Sequence, residues 1–113
     1  MRYLWALCLL ALVPWHAAQA QMFTLDVKQV TTGGVAVTAI NAGGRRSGGW
    51  LQNPPSASVN LCINELGTAV GTTSSGDTTC IAPGQTYVLI PSDKAVSVIT
   101  SDSAHAFSGY ALH

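Results

Sequence analysis

TTCIAPGQTYVLI, residues 78–90, carries the pattern on which the fold turns. Two short runs rich in Thr, Ile, Val and Tyr flank Pro83-Gly84. Proline presets φ for the first corner of a turn, and glycine takes the second at no steric cost. The flanking runs alternate with a period of two, so residues 78–81 and 86–90 read as strands.

The same punctuation recurs outward from this stretch at roughly ten-residue intervals, as in all-β domains. VNLCIN (59–64) sets Val59, Leu61 and Ile63 on one face and Asn60, Cys62 and Asn64 on the other. WLQ (50–52) is a strand stopped by Pro54-Pro55, because proline donates nothing to a ladder. Gly33-Gly34 turns the chain into a strand over 35–40, and residues 23–30 alternate with Phe23, Leu25 and Val27 on one face before the pattern shifts at Val30. Pro91-Ser92-Asp93 precedes a strand over 96–100, and residues 105–112 form the last one. NAGGRRSGG (41–49) reads as a mobile loop, and 66–77 as a second loop of Gly, Thr and Ser. No segment beyond residue 20 sustains a helical period. The expectation is an all-β fold: a small antiparallel β-sandwich or jelly-roll-like domain of about eight short strands. A transmembrane barrel needs strands of about nine to eleven residues, longer than these.

Residues 1–20, MRYLWALCLLALVPWHAAQA, have the parts of a cleaved signal helix: Arg2, an apolar stretch of about ten residues, and Ala18-Gln19-Ala20 for cleavage. That stretch is too short to span a bilayer, which takes roughly 20 residues. The domain organisation expected is therefore a signal peptide, 1–20, and a single all-β domain, 21–113, exported to the periplasm or the cell exterior with no membrane span after cleavage. The exported part keeps four basic against five acidic residues. Such a balance gives no basic field for nucleic acid and no polybasic patch for anionic lipid. Cys8 leaves with the signal, so Cys62 and Cys80 remain. An even pair in an exported chain reads as a disulfide, against two free buried thiols or an intermolecular bridge. The two cysteines lie symmetrically about Gly71, and a hairpin folding there sets them opposite each other. Closing that loop contributes roughly 3 kcal/mol on the chain-entropy model.

Candidate chemistry is sparse. Cys80-Ile-Ala-Pro83-Gly84-Gln85 resembles the ligand loop of cupredoxins, but Gln85 stands where their histidine would be and no methionine follows, so neither a metal site nor a cofactor is expected. There is no G-x-S-x-G elbow, and the acids are scattered through turns. His105 with Asp102 three residues earlier is a base and its orienter only if a turn at 102–104 brings them together; otherwise it is a polar residue at a strand entry. No catalytic residue is assigned. Contact candidates are Arg45 and Arg46, which suit a phosphate, a carboxylated sugar or an acidic patch, or else lie solvated in their loop. Trp50 suits stacking on a sugar, or else a place in the core or between strands, and Tyr87 with Tyr110, if adjacent on an outer face, would make a small sticky surface.

The order of TTGGVAVTAI (31–40), GGWLQNP (48–54), Pro83-Gly84-Gln85, Leu89-Ile90-Pro91, AVSV (95–98) and His105-Ala106-Phe107 resembles small β domains encoded among the structural genes of tailed bacteriophages and prophages. The resemblance implies a virion- or fibre-associated packing module without catalytic residues. The signal sequence and the cysteine pair depart from that pattern. The functional expectation is a non-enzymatic exported β-sandwich with a structural or adhesive role, meeting a protein partner, copies of itself or a surface glycan. The alternatives are a pilin-like subunit donating residues 23–30 to a neighbour's sheet, and a small periplasmic ligand or metal carrier.

Overall fold

The computed structural model describes residues 22–66, 68 and 71–113; the expected signal helix lies outside the described residues. Among them the fold is all-β, with no helix. The strands are β1 (Met22–Thr24), β2 (Gln29–Val30), β3 (Val37–Ile40), β4 (Gly48–Gln52), β5 (Leu61–Asn64), β6 (Thr79–Ile81), β7 (Thr86–Val88), β8 (Val96–Ile99), β9 (His105–Ala106) and β10 (Ser108–Leu112). They form a front sheet in the order β1-β10-β4-β7, a back sheet in the order β3-β8-β5-β6, and a two-stranded ladder of β2 with β9. Every pairing is antiparallel.

The two larger sheets supply the eight strands anticipated from the sequence, and the β2–β9 ladder adds two more. The run 105–112 splits at Phe107, which is buried and donates its N–H to the Lys28 carbonyl at 3.0 Å. One core lies between the sheets. Leu61, Ile63, Ile81, Val96 and Val98 from the back sheet meet Leu51, Leu89 and Ala111 from the front, with Leu25, Val30 and Phe107 at the side. The alternation that marked the strands is what supplies this face, since residues two apart in a strand share one side. In β3 both Ala39 and Ile40 are buried because the register shifts between Thr38 and Ile40, which turns consecutive residues inward.

The Pro83-Gly84 corner does more than separate two strands. Gly84 has φ of 85°, and the Gln85 N–H closes the turn on the Ala82 carbonyl at 3.0 Å. The turn carries the chain out of β6 in the back sheet and into β7 in the front one. Among the described strands only β5 and β6 are neighbours both along the chain and within a sheet. Cys62 and Cys80 face each other in that hairpin and are joined by a disulfide with S–S 2.02 Å. A bond of this kind persists in oxidising, non-cytoplasmic surroundings.

Two local expectations are corrected. Residues 23–30 hold two short strands and not one, and the break falls before Val27 and not at Val30: Leu25 is buried but Val27 is 37% exposed. After Thr24 the chain leaves the front sheet and the Asp26 N–H donates to the Ala39 carbonyl at 2.9 Å, which breaks the alternation. Nor is 41–49 wholly a loop. Arg46 pairs with Ser92 in an isolated bridge, and β4 already starts at Gly48.

Candidate functional site

Leu51 at 0% and Ala111 at 2% exposure fix the inward side of β4 and β10, so their neighbours Trp50 and Tyr110 point outward. The register aligns them with residues of the flanking strands in one row across the front sheet: Val88, Trp50, Tyr110, Thr24. The two rings meet edge to face, centroids 5.5 Å apart at 65°. That arrangement sets the positive edge of one ring against the negative face of the other. Val88 is 74% exposed and Thr24 is also exposed, so the row is open at both ends. On one flank the next row, Thr86, Gln52 and Ser108, is polar throughout; on the other the register aligns Gly48, Leu112 and Met22.

β1 pairs with β10 only as far as Tyr110, and Ser108 and Gly109 have no strand beside them on that side. The resulting notch, a cleft of about 200 Å³, is bounded by Thr24, Lys28, Trp50, Ser108, Gly109 and Tyr110, with Phe107 at its end. Two glycines make the close backbone approach beneath the aromatic pair possible. A Cβ on Gly49 would run into the Tyr110 carbonyl oxygen, and one on Gly109 into that of Trp50. Gly49 also has φ of +140°, which side chains disfavour.

Of the five contact candidates, then, Trp50 and Tyr110 come together on the surface. Arg45 is exposed in its loop and takes no part in that row. Arg46 goes inside, which corrects its assignment as a contact residue, whereas Tyr87 is half-buried and turned to the core side of the front sheet, so it makes no shared surface with Tyr110. The Arg46 guanidinium, 2% exposed, donates to the Ile90 carbonyl at 3.1 Å, the Lys94 carbonyl at 2.6 Å and Glu65 Oε1 at 3.3 Å. Glu65 accepts further from the Ile90 N–H at 2.9 Å and, through Oε2, from the Tyr87 hydroxyl at 2.8 Å. Tyr87 lies on the opposite face from Tyr110, packed against the core. Its hydroxyl is pushed up to about 12, chiefly by burial, then by the hydrogen bond to Glu65 and that carboxylate's negative charge, with Arg46 pulling the other way. The cluster ties the approach to β4 and the end of β7 to the end of β5 and the approach to β8, and thus binds front sheet to back.

The Asp102–His105 pair does form. Ala104, at φ 53°, makes the turn that folds the two together, with Nδ1 2.7 Å from Asp102 Oδ1. The other ring nitrogen is also occupied. Nε2 lies 2.8 Å from Asn53 Oδ1, and the Asn53 amide is held by donating to the Val59 and Ile81 carbonyls at 3.0 and 3.2 Å. Both nitrogens of the 4% exposed imidazole thus face acceptors. A cleft of about 260 Å³ brings Ser56 and Ser58 alongside His105, but a serine needs a free ring nitrogen to take its proton. The arrangement works as a staple between β4, β6 and β9.

Asn53, Glu65 and Lys28 were not singled out from the sequence. Asn53 carried one usable signal: a polar residue directly before a double proline, where the strand must end and leave carbonyls to be satisfied. Glu65 carried none, since its partners lie 19 and 22 residues away. Among the described residues no group of three or more His, Cys, Asp or Glu is arranged to hold a metal ion. Comparison with protein-family models, curated proteins and solved structures gave no match.

Proposed function

We propose that this chain is an exported, non-enzymatic β-sandwich that works by contact, as a structural or adhesive module, and that the front sheet's outer face makes the contact. The observation that carries this reading is the open Trp50–Tyr110 row with its adjoining notch, in a domain whose other polar clusters are turned to internal bonding. Aromatic residues with one solvent-facing side are the anchors that binding surfaces favour. Export follows from the signal-like residues 1–20, and the disulfide is in keeping with it. The resemblance to phage structural domains fits the same class of task.

The pilin-like alternative has less support, because residues 22–24 pair with β10 and 29–30 with β9 of the same chain, where Leu25 and Val30 enter its own core. The test is direct. Purified protein is assayed against ester, glycoside and peptide substrates and for redox turnover, beside His105→Ala. No turnover is expected, and any activity that disappears with His105→Ala overturns the reading.

A further inference from the structure

We infer that the notch beside Trp50 and Tyr110 is a binding subsite for a carboxylated sugar, a uronic-acid residue of an acidic glycan. The inference rests on the contact function proposed above and names its ligand class. A pyranose presents a face of C–H bonds, a rim of hydroxyls and, in a uronic acid, one carboxylate. The notch offers a partner to each.

The aromatic pair supplies apolar area with defined edges. Thr24, Ser108 and Tyr110, whose hydroxyls can each donate and accept, line the cleft. Among the described residues Lys28 is the only charged one lining the cleft; it is exposed and makes no ion pair with any of them. None of the described carboxylates lines the cleft to compete for that ammonium or repel an acid. The site is small, and that decides against a protein occupant: stable protein interfaces take about 800 Å² from each partner. The cleft opens beside the polar row, Thr86, Gln52 and Ser108, and includes none of Met22, Leu112 and Gly48, the row on the other flank of the aromatic pair.

The experiment uses ¹⁵N-labelled protein titrated with trigalacturonic acid and, separately, with neutral galactotriose. The Trp50 indole N–H signal is assigned by its loss in Trp50→Phe. Saturable shifts of that signal and of the Ser108 and Gly109 amides are expected with the acid. Lys28→Met should weaken the acid by about two- to fivefold, the range of an exposed charge pair, and leave the neutral sugar unaffected. Lys28→Met keeps the fold, because only the backbone carbonyl of Lys28 takes part in it. Equal shifts with both sugars, or none with either, would overturn the subsite. So would shifts of the same signals on raising protein concentration without sugar, which would make the face a self-association surface. Saturable shifts accompanied by cleavage of the trisaccharide would uphold the subsite and overturn the non-enzymatic function.

Discussion

The outer faces of the two sheets are built on the same alternation and end up as opposites. On the back sheet the outward row runs Ala36, Ile99, Cys62, Cys80; Cys62 is fully buried, Ile99 is 5% exposed, and a disulfide clamps the edge. On the front sheet the corresponding row is Val88, Trp50, Tyr110, Thr24, with no covalent link and solvent at both ends. The back face keeps its row buried or half-buried and cross-linked, whereas the front face keeps large side chains on view. Closure on one side supplies a frame from which the other side can be offered.

The frame is where substitutions should cost most. Arg46→Met leaves Glu65 buried without its cation, and about 3–5 kcal/mol of stability is expected to go, read from the midpoint of denaturant unfolding. A loss under 1 kcal/mol would show that the cluster does not bind the sheets together. The same cluster sets a basic limit. The Tyr87 hydroxyl titrates near 12 in the fold against about 10 when unfolded, so the folded state holds its proton longer. The associated stability is fully present below about pH 10 and is lost as pH rises toward 12. Tyrosinate absorbance should show a late-titrating tyrosine that moves down in Glu65→Gln.

Next in size is the Cys62→Ala/Cys80→Ala double variant, expected to lose about 3 kcal/mol by release of the closed loop, with the front-face signals of Trp50 unmoved. If those signals shift, the two faces are coupled and the contrast between them fails. Coupling between Trp50 and Tyr110, taken from the double-mutant cycle of Trp50→Ala and Tyr110→Ala, should be about 0.5–1.5 kcal/mol. Smallest of all, Val88→Lys should change stability by less than about 0.5 kcal/mol, because the side chain it replaces is already in water.

Much of this frame was legible in the sequence. Period-two runs and turn residues gave the strands, and the symmetry of Cys62 and Cys80 about Gly71 gave their pairing across β5 and β6. What alternation could not convey is which sheet a strand joins. TTCIAPGQTYVLI reads the same whether Pro83-Gly84 closes a hairpin or carries the chain from one sheet to the other; the fold does the second, with Tyr87 on the core side of the front sheet. The site was half legible for the same reason. Trp50 and Tyr110 lie 60 residues apart and meet only because β4 and β10 are neighbours, whereas Arg46 looked like a loop cation because its acceptors all lie far along the chain.

Gly49 and Gly109 bear on how such a surface can be altered over time. They admit no side chain, so the backbone beneath the aromatic pair is closed to drift. Thr24, Lys28, Val88 and Ser108, by contrast, stand in solvent. Variation in descendants of this chain should therefore collect at those rim positions while the two glycines stay fixed, so that one platform can be retuned to different ligands by changes that leave its folding untouched.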